Sequence, residues 1–201
     1  KFLTANAGVR LDYDSRIASK YMTDALSPRV ALILAPTDFW TVKGIYSTAF
    51  RAPSFLELYI VNGRLLPNHD GLKPETVTSY ELMTSLKSGA HTITVGGFYA
   101  NWKNLIELAI IKATAPSVSQ YDNVSGIDNF GLNGSYEGSF LDRKLRLGLN
   151  VTAAQAKRRL SPAQQQRNAE FGVGSTVPVT VAPQFYGNGR ASYEWEHTTL
   201  A

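Results

Sequence analysis

The sequence predicts an all-β protein, an antiparallel up-and-down transmembrane β-barrel, of which this chain holds about eight strands. Three observations predict this fold. Apolar and polar residues alternate with a period of two over long segments. Short and long connections between these segments alternate along the chain. The apolar faces of the segments carry no charged residue, which fits contact with lipid, where a buried charge costs about 2–4 kcal/mol.

The first segment sets the pattern. Its apolar face holds every second residue from Leu3 to Tyr13, and its polar face holds every second residue from Thr4 to Asp14. Phe98 interrupts the alternation in a later segment, and the others keep it with varying fidelity. The predicted strands after the first occupy residues 26–35, 40–51, 77–87, 92–101, 130–137, 145–153 and 185–195.

The connections fall into two classes. Tight turns are predicted at residues 36–38, 88–90 and 141–143, and long loops at residues 15–25, 52–75, 102–126 and 156–183. Because alternate connections of a meander lie on opposite sides, one side carries only turns and the other only loops. Outer-membrane barrels show this asymmetry.

A soluble β-sandwich or barrel is the alternative, since it also alternates apolar and polar residues. Two features favour the membrane barrel. Several segments reach the roughly 9–11 residues that a tilted membrane strand needs, above the usual length of about 5–6. Aromatic residues gather near segment ends, where interfacial girdles lie. They are Tyr13, Phe39, Trp40, Phe50, Trp102, Phe140 and Trp195.

Other function classes find little support in the sequence. Cysteine is absent, and the three histidines lie far apart in the sequence, so neither a metal site nor a cofactor is predicted. The tightest basic cluster, at residues 157–159, is too small for a nucleic-acid interface. Neither Ser54 nor Ser161 stands in a nucleophile motif, so the protein is not predicted to be an enzyme. We expect the chain to be an internal piece of a longer protein.

Four motifs resemble those of one family, the TonB-dependent outer-membrane receptors. In chain order they are AFRAPSFLEL at 49–58, GLKPETVTSYEL at 71–82, GGFYANWKNLIEL at 96–108 and the dipeptide Ala182-Pro183 before an alternating segment. A single such match is weak. Four in order and in phase with the predicted strands, over nearly the whole chain, are specific.

The resemblance implies a monomeric 22-stranded barrel closed by a plug domain. Residues 1–201 then form part of that one barrel domain, and the plug lies outside this chain. The implied function is active uptake, energised by the TonB complex acting on the plug, of a bulky scarce nutrient such as a ferric siderophore, haem or cobalamin. The implied partners are this small-molecule ligand and the lipid and lipopolysaccharide of the outer membrane. A passive porin or an adhesin-type barrel is the alternative.

The loop at 52–75 is the candidate for ligand binding, because recognition residues commonly lie on loops of a rigid scaffold. Within it, Ser54 and Glu57 have the spacing of a capping box, which predicts a short helix. For Arg51 the alternative is a structural ion pair. The candidate ligand-binding residues are Arg51, Tyr59, Arg64, Asn68 and His69.

Basic residues on the polar faces form a second candidate set. They face the lumen of the predicted barrel and attract an anionic substrate, or they pair with acidic neighbours. The basic residues are Arg10, Arg29, Lys43, Arg146 and Arg190, and the acidic ones are Asp12, Glu81, Glu137 and Glu194. The basic run at 157–159 is placed in a solvated loop or against lipopolysaccharide.

Overall fold

A computed structural model of the chain describes residues 2–12, 26–68, 71–112, 117–170, 183–195 and 198–200. These residues form ten strands and two helices. The strands are β1 (Leu3–Leu11), β2 (Leu26–Thr37), β3 (Trp40–Arg51), β4 (Leu65–Leu66), β5 (Glu75–Ser88), β6 (His91–Lys112), β7 (Val118–Phe140), β8 (Leu145–Leu160), β9 (Phe185–Trp195) and β10 (Thr198–Leu200); the helices are α1 (Phe55–Tyr59) and α2 (Pro162–Glu170). Neither of these helices is long and apolar enough to cross a membrane.

The strands form one open sheet in the order β1-β2-β3-β5-β6-β7-β8-β9-β10, and each neighbouring pair is antiparallel. The predicted meander is therefore confirmed for its eight strands. Two strands were not predicted, β4 and β10. The prediction that every strand pairs antiparallel with its neighbour in the sequence was wrong at β4. This strand pairs in parallel with Ser119 and Gln120 of β7.

Tight turns join the hairpins on one side of the sheet, as predicted. The turn between β5 and β6 places Gly89 at φ +57°, a left-handed conformation in which glycine avoids Cβ strain. The turn between β7 and β8 holds three consecutive non-glycine residues at positive φ, Leu141, Asp142 and Arg143. Such backbone is uncommon outside turns.

The register confirms the predicted faces. Leu32 lies opposite Gly44, which lies opposite Leu82, and the same row continues to Gly97 and Leu132. Paired residues of antiparallel strands share a face, so the apolar positions form one continuous surface. They are accessible in this open sheet, as an outward barrel face requires. Val9, Leu32, Val42 and Leu147 all lie on this outward face.

Phe98, which interrupts the alternation, lies on the opposite face. Its cross-strand partner is Gly131, and a Cβ built at that glycine would come within 2.8 Å of the Phe98 ring. The absence of a side chain at Gly131 therefore makes room for an aromatic ring on the lumen face.

Three strands, β6, β7 and β8, extend far into regions that were predicted to be loops. Most of the loop expected at residues 102–126 belongs to β6 and β7, and β8 extends to Leu160 into the loop expected at 156–183. A bulge explains why the sequence predicted too early an end for β6. Trp102 pairs with Ile127 and Leu105 with Ser125, so Lys103 and Asn104 together oppose Gly126, and Asn104 has φ +57°. The bulge breaks the period of two, and the strand beyond it loses its sequence signature.

Candidate functional site

The loop at residues 52–75 folds back onto the long ends of β6 and β7. Ser54 caps α1: its side chain accepts from the backbone N–H of Glu57, while the Glu57 carboxylate accepts from the Ser54 N–H, as the predicted capping box requires. Leu58 of this helix is buried with Leu72 and Ile106, and Tyr121 packs against them. This small core fixes the loop above the sheet.

Arg51 lies at the base of the loop between two carboxylates. Its guanidinium donates to Glu75 at 2.8 Å from both Nε and an Nη, and to Glu57 at 3.0 Å from both Nη atoms. These hydrogen bonds raise the pKa of Arg51. Burial by itself would raise the pKa of Glu57, but the hydrogen bonds from Arg51 and Ser54 outweigh burial and hold that pKa below the ordinary value.

The rest of the loop is tied to β7 through amide side chains. Asn68 Nδ2 donates to the carbonyl of Tyr121 at 2.9 Å, and Gln120 Nε2 donates to the carbonyl of Pro67 at 2.7 Å. Asn123 accepts from the Lys73 N–H at 2.7 Å and donates back to the Lys73 carbonyl at 3.0 Å. Asn68 is therefore half-buried and positioned by backbone contacts.

Two of the predicted ligand-binding residues lie on the exposed surface of this loop. The ring of Tyr59 packs on Phe55 with centroids 4.8 Å apart and is 44% exposed. Arg64 has an exposed side chain, while its carbonyl accepts from the Ser119 N–H at 2.8 Å. Arg64 also lines an open hollow of about 420 Å³ with Gly63, Leu65, Leu108 and Ser119 among its walls. His69 lies outside the described residues.

Exposed apolar side chains on the same part of the chain were missed by the sequence reasoning. Phe55 and Leu56 lie on α1, Leu66 on β4, and Leu108 and Ile110 near the end of β6. The signal was present as the run LIELAII at 105–111, but that run was assigned to a loop. Together with Tyr59 and Arg64, these side chains give the loop side an aromatic and aliphatic surface with a cation.

The lumen-facing charges are partly paired. Arg10 binds Asp12 at 2.6 Å and Arg190 binds Glu137 at 2.6 Å, so two of the predicted acidic partners are found. Arg29 lines a hollow of about 590 Å³ between β1, β2 and β3, and Arg146 lines another of about 730 Å³ with Arg190. Within the described residues no cluster of three or more histidine or acidic side chains could hold a metal ion.

Residues 2–200 match the family model described as TonB dependent receptor-like, beta-barrel. The chain belongs to this family. It is therefore an outer-membrane β-barrel chain, whose short turns face the periplasm and whose long loops face the exterior. The architecture and the outer-membrane location predicted from the sequence are confirmed.

Relatives support the assignment. The iron-regulated outer membrane virulence protein of Vibrio cholerae is 32% identical over 105 residues, which are 49% of this chain and 15% of that protein. The siderophore receptor PirA of Pseudomonas aeruginosa superposes with a TM-score of 0.66 at 18% identity, over 95% of this chain and 34% of PirA. A variant of the ferric enterobactin receptor of Pseudomonas aeruginosa, solved with enterobactin, gives 0.71 at 21% identity, over 96% and 28%. The chain thus spans a minor part of each relative.

Proposed function

We propose that this chain is part of an outer-membrane receptor for the uptake of a ferric chelate, energised through the TonB complex. The observation that carries the proposal is the match of residues 2–200 to the TonB-dependent receptor barrel. The substrate class is supported by the iron-regulated relative and by the siderophore receptors of the same fold. The TonB complex would act on a plug domain outside this chain.

The loop at 52–75 has a surface suited to such a ligand. Many metal chelates combine aromatic or aliphatic groups with negative charge. Here the tilted rings of Tyr59 and Phe55 pack together beside an apolar surface, and Arg64 supplies a cation. The rings offer rigid contact area, and the guanidinium offers directed hydrogen bonds. Tyr59 and Arg64 are proposed to contact the ligand, whereas Arg51 and Asn68 are proposed to hold the loop in shape for it.

Transport by such a receptor involves binding and passage of an intact molecule. The substrate would meet the exterior loops first and then the lumen, where Arg29 and the paired charges lie. A cationic lumen lowers the energy of an anionic chelate inside the barrel. The barrel is proposed to be non-enzymatic.

Uptake of radiolabelled iron tests the proposal in a strain that lacks the full-length gene. The strain is supplied with a panel of ferric siderophores, haem and labelled cobalamin, with and without the complementing gene. We expect one ferric chelate to restore uptake, and removal of TonB to abolish it. Uptake that persists without TonB would instead support a passive porin.

A further inference from the structure

The dipeptide Asn-Gly occurs three times in the chain, at residues 62–63, 133–134 and 188–189. This dipeptide is chemically labile, because glycine has no side chain to shield its backbone nitrogen from the preceding asparagine side chain. Attack of that nitrogen on the side-chain carbonyl carbon requires the asparagine backbone to rotate away from the extended conformation. The surroundings of each asparagine therefore decide which of the three can react.

Two of the three asparagines lie inside the sheet. Asn133 belongs to β7 and pairs with Gly96 on one side and with Thr152 on the other. Asn188 belongs to β9, pairs with Asn150, and accepts a hydrogen bond from the Asn150 side chain at 3.2 Å. The strand ladder holds both backbones extended, so a reaction at either position requires part of the sheet to open.

Asn62 lies in the exterior loop, on a turn with much weaker support. Asn62 and Leu65 form an isolated antiparallel bridge, in which the Asn62 N–H donates to the Leu65 carbonyl at 3.2 Å and the Leu65 N–H donates back. Neither Gly63 nor Arg64, which lie between them, has a positive φ. A two-residue connection of this kind does not match the twist of the chain on its two sides, since the favoured turns need positive φ. The turn is therefore easily opened.

The groups that would react at this turn are exposed and unshielded. Asn62, Gly63 and Arg64 are all exposed. In the described part of the chain, neither the Asn62 side chain nor the Gly63 N–H makes a hydrogen bond. A Cβ built at Gly63 would meet no atom within 4 Å. Water and the Gly63 nitrogen can therefore both approach the Asn62 amide.

We propose that Asn62 is a site of spontaneous deamidation, and that the carboxylate formed there weakens the binding of an anionic substrate. The Gly63 nitrogen bonds to Cγ of Asn62, the bond from Cγ to Nδ2 breaks, and ammonia leaves with the proton of the Gly63 N–H. Water then adds to either carbonyl of the resulting succinimide and opens the ring, which gives aspartate or isoaspartate. The net reaction consumes one water and releases one ammonia, so it needs no further reactant.

The new charge would lie on the surface that is proposed to contact the ligand. Asn62 and Arg64 line the same open hollow of about 420 Å³. A carboxylate at residue 62 would compete with an anionic chelate for the Arg64 guanidinium. This effect on binding rests on the proposed function, whereas the deamidation itself does not.

Peptide mass spectrometry of the purified full-length receptor, aged in neutral buffer at physiological temperature, tests the site. Ageing in water enriched in heavy oxygen marks the conversion that precedes digestion, since the incoming oxygen comes from water. We expect Asn62 to deamidate about 100-fold faster than Asn133 and Asn188, a ratio that corresponds to about 2.7 kcal/mol of local opening. In the urea-unfolded receptor the three rates should converge. Equal rates at the three positions of the folded receptor would overturn the proposal.

A substitution at Gly63 tests the chemistry separately from the fold. Gly63→Val keeps the Asn62 amide but shields the attacking nitrogen with a branched side chain, and the open space at this position lets the fold persist. We expect deamidation of Asn62 to slow by about tenfold or more, because the nitrogen is no longer open to close approach. An unchanged rate in Gly63→Val would overturn attack by the Gly63 nitrogen.

Asn62→Asp tests the effect of the new charge on substrate binding. It should bind the substrate found in the uptake panel about two- to fivefold more weakly than Asn62→Gln at low salt, since both variants fill the position but only one adds a charge. Equal affinities of the two variants would overturn the effect on binding. The deamidation rates need no substrate, so the site can fail or hold independently of the proposed uptake.

Discussion

Arg51 and Glu75 form the last cross-strand pair between β3 and β5, and two hydrogen bonds of 2.8 Å join their side chains. Glu75 also accepts from the backbone N–H of Ile106 at 2.8 Å. One ionic pair therefore connects the end of the β3–β5 hairpin to the neighbouring strand β6 and, through Glu57, to helix α1. The loop at 52–75 starts and ends at this pair.

Replacing Arg51 should loosen the loop without unfolding the barrel. Arg51→Ala leaves two half-buried carboxylates without their cation, and charge-assisted hydrogen bonds of this kind contribute about 2 kcal/mol. We expect faster hydrogen exchange across α1 and the loop, with unchanged exchange in β2 and β8. Arg64→Ala is the control, since the Arg64 side chain is exposed and its carbonyl makes the contact to Ser119. Equal exchange in the native protein and Arg51→Ala would show that this pair does not hold the loop.

Acidification should also loosen helix α1 and the loop that carries it. The folded state holds the pKa of Glu57 below its ordinary value. Its stabilising contribution is therefore complete above the unfolded pKa of about 4.3 and is lost as the pH falls through the lower folded pKa. Hydrogen exchange of α1, corrected for intrinsic rates, should rise on acidification below about pH 4. Glu57→Gln should remove most of this dependence, and a native-like acid response in that variant would point to another group.

The free-energy cost of an arginine substitution on the outward face should depend on how deep the substituted position lies in the membrane. Leu82 lies six residues from the periplasmic turn, near the midplane, whereas Leu147 lies only two residues after the start of β8. Leu82→Arg should cost about 2–4 kcal/mol and Leu147→Arg about 0–1 kcal/mol in a barrel-folding assay. Asn150→Arg on the lumen face, where Asn150 faces Asn188, should be nearly neutral. Equal costs at Leu82 and Asn150 would contradict the assignment of faces.

The predictable part of this fold is the part that crosses the membrane. Lipid on one side and a polar lumen on the other force a period of two, so the phases of Leu3, Leu32 and Leu147 could be read directly from the sequence. The short helix α1 was also predictable, because its capping box is local. The family motifs bracket these elements.

Above the membrane, the sheet no longer separates lipid from a polar lumen, so the sequence is not forced to alternate with a period of two. Ile106, Leu108 and Ile110 share one face of β6 and Ala109 lies on the other, so apolar residues fall on both faces. The bulge at Asn104 also changes the phase. The pairing of Leu65 with Ser119 joins residues far apart in sequence, and no local pattern encodes it. For the candidate site, the positions of Tyr59 and Arg64 on a loop were predictable, but the apolar surface beside them depends on this packing.

The contact between Gly131 and Phe98 gives a test of packing on the lumen face. Gly131→Val places side-chain atoms where the Phe98 ring and the Ala153 carbonyl lie. Overpacking of this kind typically costs about 1–3 kcal/mol. Gly44→Ala is the matched control, since a Cβ at Gly44 meets no atom within 4 Å. Urea-dependent folding into lipid vesicles should show a lower midpoint for Gly131→Val and an unchanged one for Gly44→Ala. Similar midpoints for both would show that the ring moves aside at little cost.

Removal of the exterior loop tip separates recognition from folding. Deleting residues 60–70 removes β4 and Asn68 but leaves the β3–β5 pairing and the Arg51–Glu75 contact in place. We expect the full-length variant to fold and insert, as judged by heat-dependent mobility in gel electrophoresis. Its affinity for the substrate found in the uptake panel should fall, because the hollow beside Arg64 is lost.

Point variants then assign the loss to particular side chains. Arg64→Ala and Tyr59→Ala should each lower substrate affinity about 5- to 30-fold, which corresponds to about 1–2 kcal/mol for a contact residue of these types. Lys144→Ala, on the periplasmic turn, should leave affinity unchanged. If the deletion and both point variants bind the substrate as tightly as the parent, the loop at 52–75 is structural. Recognition would then lie elsewhere, with the cationic lumen around Arg29 as the next candidate.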